Sequence, residues 1–425
     1  MGYSSVGDSS VKKRMNLTVG DTGESMRVLI LERDHSGHRF TVVKVLLDAL
    51  LDLNNSEKCL ASITLATTSD ALHSDEFRLQ LYEYQHLFNV ELLSPFALPA
   101  HPVLVAWRKL QDWRKLVCGG RYDHVYVPYG DGLVQALGTT RFIPRVFDPG
   151  EVVAETIFMR GSFGYPHSRL ITKMIALLGV RFAPFGRIHL IDPLPFEYLQ
   201  KSSIETKSKV RLLPDPITTT PQQDRRKSRI QLNLELEVKW IGCVGQIDER
   251  KGIDLLIRTF HDAIFDSEVR LLLAGKHSKY ITELLMEHSS SRIVSIDRYL
   301  DEQEFVSAIS ALDVVVTPYP HFVGSASIVL RAAAANRYCL AANTGWMGKI
   351  VPEMQLGQVC DVTNPDEFKR SLGESIEASE HYSLGVKGQQ FIEYGSSKNI
   401  HAHWTQMLRK RLGLPADSNL QDWPM

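Results

Sequence analysis

The sequence predicts an α/β protein of two doubly wound parallel sheets, and three observations carry that expectation. Short apolar runs recur along most of the chain, and each is followed by residues whose apolar positions repeat at helical spacing. A polar stretch punctuated by proline interrupts the series after Val210–Leu213, and the alternation begins again at Val238. The chain has 425 residues, and one core seldom grows beyond about 250 to 300, so two domains are expected.

The first half reads in order as follows. Residues 1–25 are rich in Ser, Gly, Asp and Lys without apolar periodicity and read as a disordered or trimmed leader, with Met26 close to the functional start. Arg27–Leu31 is a buried strand, Glu32–His38 a loop, and Val42, Val45, Leu46 and Leu50 mark the apolar face of a helix. Gly37 stands at that helix start, either to let a ligand approach the backbone or simply to turn the chain. Ser62–Ala66, Val90–Leu93 and His124–Val127 follow as strands, with helices over Glu76–Leu87 and Pro102–Val117. The second of these helices sets Trp107 and Trp113 among Arg108, Lys109, Arg114 and Lys115. It is either a core helix with a solvated basic face or a surface for an anionic membrane. Asp131 follows HVYVPYG at a strand's carboxyl end, where ligands of open α/β sheets bind; it reads as an acid or base, or as a helix cap. Strands over Val152–Met159, Arg187–Ile191 and Val210–Leu213 complete the first half, with a helix at Leu170–Leu178, and the polar TTTPQQDRRKSR marks the boundary.

The second half centres on VKWIGCVGQIDERKGIDLLIRTF, Val238–Phe260. Trp240–Val244 is a strand closed by Gly245; a charged loop with Arg250 and Lys251 leads into a helix with Ile253, Leu256, Ile257, Phe260 and Ile264 on one face. Such a junction points free N–H groups and the positive helix end at a place where an anion can sit. Strands at Val269–Ala274, Ile293–Ile296, Val314–Thr317 and Tyr338–Ala341 alternate with helices at Ile281–Met286, Glu302–Ala311 and Ser325–Ala335. Further loops of the same kind occur at Gly275-Lys276, Pro318–Gly324 and Thr344–Gly348. Helices over Pro365–Ala378, Val386–Tyr394 and Lys398–Leu412 end the chain.

Composition limits the function classes. Lys and Arg total 48 against 49 Asp and Glu, so no overall field attracts a nucleic acid, and any basic function is local. The five cysteines show no metal-ligand spacing, and Cys243 and Cys339 lie in strand-like runs, as buried thiols of a reducing compartment do. No apolar run approaches the ~20 residues of a membrane span, and the amino terminus lacks a signal-peptide core. The expectation is a cytoplasmic protein, with peripheral contact at the inner membrane face as the alternative.

With these motifs in hand, the second half resembles the nucleotide-sugar domain of GT-B glycosyltransferases, most like the retaining family 4. GQIDERKGIDLLIRTF is similar to that family's G-R-L-x-x-x-K-G loop and helix, VRLLLAGKH to its strand ending in Gly-x-Gly, and ALDVVVTPY to its A-D-V-x-V-x-P strand. IVLRAAAANRYCLAANTGWMGKIV is similar to L-E-A-M-A-x-G-x-P-V-I-A-x-x-x-G-G-x-x-E-I-V. RVLILERDHSGHRF and KVRLLPDPI suit the first domain and its exit.

The resemblance implies two Rossmann-like domains facing a cleft. Residues 26–216 would form the acceptor-side domain, 217–385 the nucleotide-sugar domain, and 386–425 helices returning to the first. It implies an NDP-sugar donor, a glycan, lipid or polysaccharide acceptor, and no metal or cofactor. On the donor side it carries over Lys251 as the lysine on the diphosphate, and Gln246 where the family has arginine. Val323 and Arg331 stand where the family has two glutamates. Gly37, Lys276, the Gly324 loop with Ser325 and Ser327, and Gly345 complete the expected donor site, with Arg331 adding positive charge. Asp131, His38 and Arg160 are the candidate catalytic groups, with His35 as a further candidate. A GT-B module without activity, or a sugar-nucleotide epimerase, are the competing expectations.

Overall fold

A computed structural model describes residues 26–35, 39–58, 60–95, 102–140, 144–150, 152–159, 161, 163, 165, 170–215, 223–263, 268–415 and 420–424. Among the described residues thirteen strands form two sheets. The first holds β1 (Met26–Leu31), β2 (Leu60–Thr68), β3 (Asn89–Leu93), β4 (His124–Val127), β5 (Val153–Phe158), β6 (Arg187–Leu190) and β7 (Val210–Leu212), in the order β3-β2-β1-β4-β5-β6-β7. The second holds β8 (Lys239–Val244), β9 (Val269–Ala274), β10 (Ile293–Ile296), β11 (Val314–Thr317), β12 (Tyr338–Ala342) and β13 (Gly357–Cys360), in the order β10-β9-β8-β11-β12-β13. The pairings are parallel: Val28 stands opposite Ile63 and His124, and Ile241 opposite Leu271 and Val314. The expected two-domain α/β architecture is present.

By internal contacts the chain forms two compact units. One lies within Met1–Tyr129, Phe142–Thr156 and Pro184–Gly186, the other within Gly130–Arg141, Ile157–Ala183 and Arg187–Met425.

Why these segments are strands follows from burial. Val28, Leu29 and Ile30 of β1, Leu271–Leu273 of β9 and Val314–Val316 of β11 are almost wholly inaccessible, as parallel strands covered on both faces must be. The helices cover them with one apolar stripe each. Ile253, Leu256, Ile257 and Phe260 of the helix Ile253–Asp262 are fully buried, while Arg258 on the opposite side is exposed.

Three elements depart from the sequence reading. Arg225–Gln231, which begins inside the stretch read as polar and unpatterned, is a helix capped by Asp224. It is held from a distance: Arg225 and Arg229 each donate to Asp313 at 2.7 Å, and the Trp240 N–H donates to the same carboxylate at 2.7 Å. Gly357–Cys360 adds an edge strand beside β12. The segment read as one helix over Glu76–Leu87 is a helix Asp75–Gln80 followed by a single 3₁₀ turn, Tyr82–Tyr84. Trp404 of the last helix, Ser397–Arg411, lies beside His189 of β6 with ring centroids 5.5 Å apart. No helix among the described residues is long and apolar enough to cross a membrane.

Candidate functional site

In the second sheet the connection order reverses between β8 and β11, and ligands of open α/β sheets bind outside the carboxyl ends of the strands at such a point. The loop after β8 begins at Gly245. Its Ile247 is fully buried and pairs with the loop after β9, donating from N–H to the Lys276 carbonyl at 2.9 Å. Asp248 is buried and accepts from Arg250. One 3₁₀ turn, Glu249–Lys251, then leads to Gly252, whose φ of +66° begins the following helix. A Cβ at Gly252 would lie 2.1 Å from the Pro318 carbonyl oxygen, so only glycine lets this loop press against the one after β11.

This geometry folds Lys251 back over its own strand. Its Nζ lies 5.5 Å from the centre of the Tyr319 ring and would be 3.4 Å from a Cβ built on Gly245. Burial lowers the Lys251 pKa, Cys243 and Asp248 oppose the fall, and Arg250 adds to it. Among the described residues this ammonium has no salt-bridge partner.

The loop after β11 carries Tyr319 and Phe322, packed edge to face with centroids 5.9 Å apart, then Val323 and the buried Gly324. Ser325 Oγ donates to Asp215 Oδ2 at 2.6 Å. The loop after β12 closes on the same backbone. Gly345 has a φ of +58°, a Cβ there would stand 2.4 Å from Val323 Cα, and the Trp346 N–H donates to the Val323 carbonyl at 3.0 Å. Lys251, the Gly324–Ser325 turn and Gly345 therefore meet at one end of three adjacent strands.

The helix starts at this end share a property. Ile253–Asp262, Ser327–Ala334 and Gly345–Glu353 begin at Gly252, Ala326 and Thr344, and none of the three receives a side-chain capping hydrogen bond. In the same unit Ser278, Asp301, Asn364 and Ser396 cap their helices with their own side chains, while the helices that begin at Gly130 and Gly385 also lack a side-chain cap. Uncapped starts leave N–H donors and the positive helix end available to an outside anion. Thr344 Oγ1 is buried with no hydrogen-bond partner among the described residues.

The other expected site residues fall as follows. Gln246 is exposed on the β8 loop. Lys276 is exposed on the β9 loop and pairs with Asp297 at 3.1 Å. Ser327 is the first residue of its helix. Arg331, one turn further along, is held on Glu302 at 2.5 Å and 3.2 Å and lies over the Phe305 ring. In the first sheet Asp131 opens the helix Asp131–Thr139, whose N-cap is Gly130, and accepts from the Met159 N–H at 3.2 Å. The His35 N–H donates to the Asp34 side chain at 2.8 Å. Gly37, His38 and Arg160 lie outside the described residues.

Three features escaped the sequence reading. Buried Glu32 accepts from Arg39 at 2.8 Å beside the carboxyl end of β1, and Arg39 lies over the Tyr129 ring. Desolvation raises the Glu32 pKa, with Arg39 opposing. Asp192 is buried against the Tyr165 hydroxyl, and burial pushes its pKa up to about 7. Asp215 anchors the Gly324 loop. Its Pro-Asp-Pro setting was legible, but its partner lies 110 residues away.

The comparisons with known proteins bear on this same segment. Residues 238–377 match the family described as Glycosyl transferases group 1. A curated relative, an uncharacterized glycosyltransferase of Methanocaldococcus jannaschii, is 26% identical over 149 residues, which are 35% of this chain and 41% of the relative. The chain thus aligns with about two fifths of that relative's length.

Similarity of fold extends further than the group 1 segment. A sucrose-phosphate synthase of Thermosynechococcus elongatus superposes with a TM-score of 0.69 at 15% identity, covering 91% of this chain and 99% of that one. Anabaena HepE, solved with UDP and glucose, gives 0.61 at 14% identity, over 91% and 99% of the two chains. A putative UDP-N-acetylglucosamine 2-epimerase of Listeria monocytogenes gives 0.59 at 11% identity, over 93% and 99%. At such identities the likeness establishes the two-sheet fold.

Proposed function

We propose that this chain is a glycosyltransferase of the GT-B, family 4 type. It would move a hexosyl group from an NDP-sugar to a hydroxyl of a glycan, lipid or polysaccharide, with retention and without a metal. One observation carries the reading: the Lys251 ammonium, which has no salt-bridge partner among the described residues, and three helix starts without side-chain caps converge where β8, β11 and β12 end. A diphosphate supplies the anion that such a place lacks. As the bond between the sugar C1 and the diphosphate oxygen breaks, charge builds on the leaving group, and these donors offset it. The acceptor oxygen then attacks C1 from the same face and releases its proton. Asp131 is the candidate to receive it, since its hydrogen bond to the Met159 N–H fixes the carboxylate's direction; His38 and Arg160 are the other candidates. That HepE was solved with UDP and glucose supports a nucleotide-sugar donor.

Val323 and Arg331 replace the family's glutamates, and Arg331 changes the local chemistry. Its guanidinium grips Glu302, so a carboxylate still stands beside the helix position where the family carries its own. We assign Glu302 the ribose hydroxyls and Arg331 the task of holding Glu302. Glu302→Gln should weaken UDP binding about tenfold, as expected for one charge-assisted hydrogen bond; unchanged affinity in calorimetry removes Glu302 from the site.

The decisive experiment offers a panel of NDP-sugars with and without hydroxyl acceptors. Transfer, or slow donor hydrolysis, supports the enzyme. Binding with neither supports a non-catalytic module, the reading favoured by an apolar Val323. Release of an altered sugar nucleotide without acceptor supports an epimerase.

A further inference from the structure

The first compact unit holds a second, separate pocket. It has a volume of about 430 Å³ and lies between the end of β3, Leu92–Ser94, and the helix Pro102–Leu116. Arg108, Gln111, Arg114 and Lys115 line it together with Asp112. The spacing is the cause. Residues 104, 108, 111 and 115 follow one another along one stripe of a helix, and 107, 111 and 114 along the next, so the cations share a face.

Charge in the pocket is net positive. Asp112 is buried and tied to Arg33, which also donates to the Ser94 carbonyl. Lys115 pairs with Glu91 at 3.2 Å, and Arg121 reaches the same carboxylate at 3.8 Å. Arg108 donates to the Gln111 side chain at 3.2 Å, an uncharged partner. Arg114 has no salt bridge among the described residues. Two guanidinium groups and an ammonium thus face a cavity whose one lining carboxylate is already paired. One turn toward the helix start, Leu104 and Trp107 are 62% and 55% exposed, and Leu92 in the wall is 59% exposed. Apolar area of that size beside such a charge cluster suits a ligand that is anionic at one end and apolar at the other.

We infer that this pocket binds a phosphate ester. The phosphoryl group would sit between Arg108, Arg114 and Lys115, and its organic part over Leu104 and Trp107. A phosphate monoester carries about −1.5 to −2 charges at neutral pH and accepts forked hydrogen bonds from guanidinium, which matches two arginines and a lysine better than a single carboxylate does. The inference stands on this helix and strand alone, whether or not sugar transfer holds. The same chemistry is offered by a small phosphorylated compound and by a lipid headgroup.

The test uses the full chain saturated with UDP, so that phosphate taken up at Lys251 is not counted. Inorganic phosphate is followed by equilibrium dialysis, and vesicles of phosphatidylglycerol with phosphatidylcholine are compared with pure phosphatidylcholine by co-sedimentation. The variant Arg108→Gln/Arg114→Gln/Lys115→Gln is set against a control of equal charge, Lys201→Gln/Lys279→Gln/Arg370→Gln, with thermal melting of both to verify folding. Uptake of phosphate or anionic vesicles that falls about tenfold or more in the pocket variant, and stays within about twofold in the control, supports the site. Uptake of phosphate alone assigns a small phosphorylated ligand, and uptake of anionic vesicles assigns a headgroup. No uptake of either probe, or equal loss in both variants, overturns it. If UDP itself fails to bind, the dialysis still reads the pocket, while the transfer proposal falls.

Discussion

At Lys251 two demands meet: burial lowers the pKa of its ammonium, and among the described residues no carboxylate forms a salt bridge with it, Asp248 opposing the fall only in part. In the proposed function a bound diphosphate would resolve the conflict. Lys251→Ala should therefore weaken UDP binding about tenfold to a hundredfold while leaving the melting temperature unchanged or higher; calorimetry and thermal melting together check this. Gly345 is constrained in another way, by φ +58° and by Val323 at its back. Gly345→Ala should cost about 1–3 kcal/mol of stability and detach the β12 loop from the β11 loop, read as a lower denaturant midpoint with impaired UDP binding. Both residues were legible in the sequence, because a glycine at a strand–helix junction and a lysine beside another are local signals. Arg331 was legible only as a charge, since its partner Glu302 is fixed by how two helices pack.

Among the elements, the helix Arg225–Gln231 shows what periodicity cannot see. It has seven residues, and Ile230, an apolar residue within it, is exposed; what holds it is the Asp313 carboxylate, which gathers Arg225, Arg229 and the Trp240 N–H. Removing that anion leaves buried Arg229 uncompensated. Asp313→Ala should destabilise the protein by about 3–5 kcal/mol, measured by urea unfolding, and expose the 225–231 segment to proteolysis. β13 was missed for a related reason: GQVC offers four residues without an extended apolar run, and its register comes from the neighbouring β12. The long central strands and their helices were read correctly because burial on both faces leaves a continuous apolar signal.

For the whole molecule, buried Asp192 gives stability a pH dependence of known sign. Its carboxyl pKa is pushed from 3.8 up to about 7, foremost by burial, with Glu197 adding to the rise and the Tyr165 hydroxyl, the Leu194 N–H and Lys349 opposing it. Between those two values the folded chain keeps a proton that the unfolded chain has lost, so this contribution is full below about pH 4 and declines as pH rises toward 7. Asp192→Asn should flatten that decline: urea midpoints of wild type minus variant should fall from pH 5 to pH 7 by the wild-type slope, and parallel curves contradict the assignment. The sequence by itself determined the two sheets, their strands and the glycine-bearing turns, since these follow from local apolar patterning and from backbone angles that few residues tolerate. Only the tertiary structure decided the strand order that sets β8 beside β11 and the partners of Asp313, Arg331 and Ser325. Those pairings join residues 29 to 110 positions apart, and packing rather than local chemistry selects them.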